Sequence, residues 1–162
     1  MATPRAFVDF VAELDYPMYV VTVSAEGERD GCLVGFATQC SIRPGRFLVC
    51  LSKKNRTYRL AQAATVLAVH LVGDDETELA ELFGGETGDE VDKLSRWHWR
   101  EGPEGVPILE GPPSWFVGRV LDRVDFGDHV GFVLDPVEGG RAGTEPGLGY
   151  QEARGIEPGH PA

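Results

Sequence analysis

One stretch gathers most of the polar chemistry the chain offers. Ser52-Lys-Lys-Asn-Arg-Thr-Tyr58 concentrates three cations, an amide and two aliphatic hydroxyls between a strand-like run and a short helical pattern. Free backbone N–H groups at the start of a helix, beside Arg56 and Lys53 or Lys54, suit a phosphate group. The same residues would equally make a solvated basic turn in which Asn55 or Thr57 caps the helix. A second place is Gly127-Asp-His129, where a turn delivers an imidazole to the start of a strand, either into a site or simply into solvent at a hairpin. Trp97-His-Trp99 is a third: two indoles around a histidine could cover a planar ligand or fill a subunit contact.

Other chemistries lack their motifs. The sequence has no GxGxxG or GxxxxGK[ST] for nucleotide phosphates, no HExxH for zinc and no GxSxG for an acyl-transfer serine. His70, His98, His129 and His160 are too scattered to suggest metal ligands. Cys32, Cys40 and Cys50 are odd in number and lack CxxC spacing, which predicts small core residues rather than a disulfide framework or a zinc site. An enzyme built from this sequence would borrow its chemistry from a bound cofactor.

The elements that must carry these groups are mostly strands. A helix is expected around Phe7, Phe10, Val11 and Leu14, spaced i, i+3, i+4, i+7, with Thr3 as cap and Pro4 in its first turn. Strands follow over 18–24 and 31–39, forming a hairpin across Ala25-Glu-Gly-Glu28. Residues 41–45 predict a loop, 46–52 a strand, 58–64 a short helix and 66–72 another strand. Asp74 or Asp75 should cap a helix bearing Leu79, Leu82 and Phe83, stopped by Gly84-Gly85. Residues 86–114 are loop-rich, and two long strands over 114–124 and 129–137 close the domain. The Gly- and Pro-rich remainder, 138–162, reads as an extended arm or a frayed tail. The sum is a mainly β fold, an antiparallel barrel with a few peripheral helices occupying residues 1–137.

Composition narrows the partners. The sequence is 162 residues long, enough for one domain with a core, and 42% of it is apolar and 25% charged. A net charge of −11 argues against nucleic acid and against an anionic membrane surface, since both are bound through excess Lys and Arg. The apolar runs are strand-sized, and acidic residues interrupt the first of them where a signal peptide would need an unbroken core. The expectation is a cytoplasmic protein.

Taken in order, the pieces resemble the flavin reductase-like family with its FMN-binding split barrel. The resemblance runs from about Met18 to Tyr150. It rests on Val20-Val-Thr-Val23, Gly31, Gly35-Phe-Ala-Thr-Gln-Cys-Ser-Ile-Arg-Pro44, Ser52-Lys-Lys-Asn-Arg-Thr57 and Leu82-Phe-Gly-Gly85. Asp92-Lys-Leu94, Gly105-Val-Pro-Ile-Leu109, Gly127-Asp-His129 and Pro146-Gly-Leu-Gly-Tyr150 continue it. The family implies a homodimer with FMN or FAD at the subunit interface and NAD(P)H as co-substrate. By resemblance, Val34, Gly35, Phe36, Ala37, Thr38, Gln39, Cys40 and Ser41 lie along the flavin ring and ribityl chain. Ser52, Lys53, Asn55, Arg56 and Thr57 surround the phosphate, and His129 stands near the ring as the residue that assists catalysis.

The sequence departs from the family where Leu33, Gly35 and Phe36 replace hydroxyl or amide residues, where Gln39 stands for a serine, and where Arg43 replaces an acid before proline. These changes remove side-chain hydroxyls but leave backbone contacts available. The function implied is NAD(P)H-dependent flavin reduction, with reduced flavin serving a partner such as a monooxygenase. The alternatives are a non-catalytic flavin-binding electron carrier and a split-barrel oxidoreductase using a deazaflavin or another acceptor.

Overall fold

The β-branched run at Val20–Val23 forms the middle of β1 (Tyr19–Ala25), which turns through Glu26 and Gly27 into β2 (Glu28–Val34). Both turn residues have positive φ, 54° and 79°, the two-residue geometry whose twist matches a hairpin. The computed structural model describes residues 2–143 and 146–156.

The single strand expected over 31–39 is two strands. β2 stops at Val34, and β3 (Ala37–Ile42) pairs with β4 (Gly45–Ser52) instead of with β1. Only glycine fits at the break, because a Cβ at residue 35 would lie 2.9 Å from Tyr16 Cε2 and 3.2 Å from Met18 Sδ. Beyond it, the Phe36 carbonyl accepts a hydrogen bond from the Cys50 N–H at 2.8 Å. The loop expected over 41–45 shrinks to a turn at Arg43–Pro44, because Ile42 already pairs with Gly45.

α2 (Arg56–Ala61), β5 (Val66–Leu71) and α3 (Thr77–Gly85) follow. A small hairpin of β6 (Trp99–Glu101) and β7 (Pro107–Leu109) leads to the long strands β8 (Ser114–Asp125) and β9 (His129–Arg141). The main sheet runs β2-β1-β5-β8-β9-β4-β3, every neighbouring pair antiparallel. The split barrel expected from the sequence is thus the architecture. Val21, Val23, Val49, Leu51, Leu67, Phe132 and Leu134, all essentially solvent-free, fill its interior.

The helices start elsewhere than expected. α1 (Arg5–Ala12) is preceded by Pro4 and not capped by Thr3, and none of its residues is buried. α2 begins at Arg56 because the Asn55 Oδ1 accepts the Thr57 N–H at 3.0 Å. Glu76, not Asp74 or Asp75, precedes α3, its carboxylate accepting the Gly73 N–H at 2.9 Å.

As far as it is described, the segment from 138 is built into the body. Residues 138–141 continue β9, and Gly147 and Gly149 bridge to Gly73 and Pro17. Leu148 is buried, and Tyr150, at the start of α4 (Tyr150–Ala153), stacks on Tyr16 with ring centroids 4.6 Å apart. Residues 144–145 and 157–162 of the expected arm lie outside the described residues. Among the described residues, no helix is long and apolar enough to cross a membrane.

His70 locks this frame. It is fully buried on β5, with Nδ1 2.9 Å from the Val20 carbonyl and Nε2 accepting the Leu109 N–H at 3.0 Å. This bonding needs the neutral ring protonated at Nδ1, and burial pushes its pKa down from 6.5 to about 4. The folded state therefore refuses a proton that the unfolded chain accepts. The stabilisation is complete above pH 6.5 and is lost as pH falls towards about 4. Urea unfolding should show stability falling by about 2 kcal/mol between pH 7 and pH 5, a fall that His70→Gln largely removes. An equal pH dependence in the variant would contradict this role.

Candidate functional site

Three breaks in the sheet converge on one cavity. β2 ends at Val34-Gly35-Phe36, β4 runs through Cys50–Ser52 into the connector, and β9 begins at His129, cross-strand from Ser52. The Lys53 N–H donates to the Asp128 carbonyl at 2.9 Å, so connector and β8–β9 turn are fixed together. The Phe36 and His129 rings then lie 5.0 Å apart. The opposite wall comes from Phe83 and Gly84 at the end of α3 and from Tyr16, Tyr150, Ala153 and Ile156. The enclosed volume is about 280 Å³, near the lower end of small-molecule clefts.

Of the residues singled out from sequence, Val34, Gly35, Phe36, Ser52, Asn55 and His129 line this cavity. Ala37, Thr38, Gln39, Cys40 and Ser41 run away from it along β3, where the Thr38 hydroxyl and the Gln39 amide bond to neighbouring carbonyls. Thr57 is wholly buried at the start of α2. Its hydroxyl oxygen has no hydrogen-bond partner among the described residues.

The cations flank the connector. Lys53 turns to the β8–β9 hairpin, its Nζ 2.8 Å from Asp125 Oδ2, and this bond raises the lysine pKa and lowers that of the acid. Arg56 turns towards β2, where Nη1 donates to the Arg29 carbonyl at 3.1 Å and the guanidinium lies 3.6 Å from Asp30 and 3.7 Å from Glu28. It borders a second cleft of about 550 Å³ shared with Asp92, Ser95 and Trp99.

His129 Nδ1 is 2.7 Å from Asp128 Oδ1, a bond that holds the Asp128 carboxyl below its ordinary range. Donation from Nδ1 fixes the ring's tautomer and leaves Nε2 as its acceptor. Trp97 and Trp99, read as either a cover over a planar ligand or a subunit contact, do not line this cavity. Trp97 and Trp99 donate to the carbonyls of Glu110 and Leu94, within their own loop and small hairpin. The cysteines, expected in the core, divide: Cys32 is buried, Cys50 half-buried and Cys40 exposed. Cys32 and Cys50 line the cavity floor, and burial pushes the Cys32 thiol up to about 11, too high for it to serve as a thiolate. Among the described residues, no group of three His, Cys, Asp or Glu side chains could hold a metal ion.

Sequence reasoning did not pick out Tyr16, Phe83, Tyr150 or Ile156 as cavity wall, although Leu82-Phe-Gly-Gly85 and Pro146-Gly-Leu-Gly-Tyr150 stood out as motifs. It also missed the burial of Asp30 and Lys93 behind the connector, 2% and 1% exposed. Asn55 is the hinge of this arrangement. Asn55→Ala should lower thermal stability by about 1 kcal/mol through loss of the cap, while Asn55→Asp should keep most of it. Melting curves that place both variants at the wild-type temperature would show that the cap does not fix the connector.

Residues 11–156 match the family described as "Flavin reductase like domain". Over 153 residues the chain is 30% identical to a Rhizobium meliloti protein named "Probable flavin reductase", covering 94% of this chain and 47% of that one. The chain thus spans about half the length of that relative. It is 28% identical over 146 residues to an FMN reductase (NADH) of Ancylobacter novellus, covering 90% and 80% of the two chains. It is also 28% identical over 135 residues to the reductase component of a 4-nitrophenol monooxygenase of Rhodococcus opacus, covering 83% and 70%. The crystal structure of a flavin reductase domain protein from Arthrobacter sp. FB24 superposes with a TM-score of 0.82 at 25% identity, covering 90% and 89%.

Proposed function

The chain belongs to the flavin reductase-like family, and from that premise we propose that it is an NAD(P)H-dependent flavin reductase holding FMN or FAD in the cavity between β2, β4 and β9. The observation that carries the reading is the meeting of the Gly35–Phe36 backbone, the Ser52–Asn55 connector and His129 around one cavity. The groups present fit such a ligand. Gly35 and Phe36 lie between two strands on the cavity lining, where their backbone could meet a flat ring, and Tyr16, Phe83 and Tyr150 give an apolar wall. Ser52 and Asn55 bring polar side chains to the connector end. When bound, the flavin supplies the redox chemistry, accepting a hydride from a nicotinamide and passing its electrons on.

The protein's part is to position and exclude water. Ser52 and Asn55 offer polar groups at the cavity's connector end. Lys53 reaches phosphate by exchanging its exposed partner Asp125, and Arg56 by turning away from the exposed Glu28 and the buried Asp30. His129, held by Asp128, orients the nicotinamide against the ring. Ala37, Thr38, Gln39, Cys40 and Ser41, on β3 outside the cavity, extend the ligand surface towards a second subunit in a homodimer. Reduced flavin passes to a monooxygenase partner, as the name of the Rhodococcus opacus relative suggests. The working compartment is the cytoplasm.

Anaerobic mixing of the FMN-loaded protein with NADH or NADPH should bleach the oxidised flavin absorbance. A protein that binds FMN but stays yellow with both nicotinamides would be an electron carrier, and one that takes up no flavin would sink the reading altogether.

A separate test addresses His129. His129→Ala should slow flavin reduction in stopped flow by roughly 10²-fold or less while FMN affinity stays near wild type. An unchanged reduction rate at every nicotinamide concentration would remove His129 from the reaction.

A further inference from the structure

Behind the connector, on the side away from the cavity, three charges run from the interior to the surface. Lys93 lies in a single 3-10 turn (Lys93–Arg96) of the loop after α3, and its side chain is 1% exposed. Its Nζ is 3.7 Å from Asp30 Oδ1 on β2. The other oxygen, Oδ2, accepts no hydrogen bond among the described residues and lies 3.6 Å from Arg56 Nη1. The loop closes directly on this carboxylate, since a Cβ at Gly88 would fall 2.1 Å from Asp30 Oδ2.

This is more positive charge than Asp30 requires. A buried carboxylate needs one countercharge, and a lysine is among the side chains least often buried without such a duty. Lys93 satisfies that need from within. Both cations stand beyond hydrogen-bonding distance of Asp30, Lys93 at 3.7 Å and Arg56 at 3.6 Å. Lys93 is 1% exposed and Arg56 24%, however, so Arg56 is the one a ligand can reach, and its one hydrogen bond is to a carbonyl. A guanidinium held this loosely, one residue from the cavity-lining Asn55, can be re-aimed at little cost.

We propose that Lys93 is a positioning residue for ligand binding: by neutralising Asp30 permanently, it leaves Arg56 available to the phosphate of the flavin ligand. The inference rests on the reading that the Ser52–Thr57 connector meets that phosphate. Without Lys93, Asp30 would claim Arg56 as its only countercharge and draw it away from the ligand.

The test compares FMN with riboflavin, which lacks the phosphate, by fluorescence titration of the full chain. Lys93→Met should weaken FMN by about tenfold relative to riboflavin, and Asp30→Asn/Lys93→Met should return that ratio to within about threefold of wild type. Equal weakening of both flavins by Lys93→Met, or no recovery in the double variant, would overturn the proposal. If Lys93→Met does not fold, Asp30→Asn alone decides. It should leave the FMN preference intact or raise it, and a tenfold loss would overturn the proposal. Arg56→Ala separates the two layers of argument. A ratio unchanged in Arg56→Ala removes the phosphate reading itself, whereas a ratio that falls there but not in Lys93→Met removes only the role of Lys93.

Discussion

The hydrogen bond from the Cys50 N–H to the Phe36 carbonyl, 2.8 Å long, carries the β3–β4 pairing one residue past Ala37, to the edge of the gap that separates β2 from β3. β2 has just left its hairpin with β1, and β3 is about to begin another with β4. At this junction neither Gly35 nor Phe36 belongs to a strand, so their backbone groups lie outside the ladders that occupy the rest of the sheet. Tyr16 and Met18 stand where a larger residue at 35 would need its Cβ, so only glycine fits at the break. The cavity is the space that this interruption leaves, closed on its far side by the end of α3 and the returning segment around Tyr150.

Electrostatics around the connector follow a different logic. A chain with a net charge of −11 places three of its cations in seven residues, and two of them are tied to acids. Each tie is geometrically distinct. Lys53 and Asp125 form a short, exposed pair whose two pKa shifts agree in direction with a direct hydrogen bond. Arg56 instead shares a buried carboxylate with Lys93 at distances beyond hydrogen bonding. An exposed pair is screened by water and exchanges partners readily, whereas a buried acid keeps whatever countercharge reaches it from inside. The two cations are therefore available to an incoming anion for different reasons.

Much of the fold was legible because local chemistry and tertiary context agreed. The β-branched run at Val20–Val23 had to be a strand, and Asn55 had the side chain to cap a helix opening one residue later. The apolar spacing at Phe7, Phe10 and Val11 produced a helix, although that face stays exposed here. What failed depended on residues distant in sequence. Apolar residues continue through Leu33, Val34 and Phe36, and the change of partner from β1 to the downstream β4 has no local mark beyond Gly35 itself. Ser41 to Gly45 reads as a loop by its Pro and Gly, yet a two-residue turn suffices once β3 and β4 pair. The direction of Arg56 could not be read either, because Asp30 and Glu28 sit on the first hairpin. Cavity-lining positions were legible at Ser52, Asn55 and His129, where polar residues interrupt strands, and hidden at Tyr16 and Phe83, which look like core.

The central claim is that one cavity, bounded by the ends of β2, β4 and β9, is where a flavin binds. Hydrogen–deuterium exchange of the full chain with and without FMN reads this directly, since it reports every backbone amide without presuming a site. The account predicts slowed exchange confined to three separate stretches: the Gly35–Phe36 junction, the connector from Ser52 to Thr57, and the start of β9 at His129. Slowed exchange located instead around Trp97 and Trp99, with these three stretches unchanged, would contradict it.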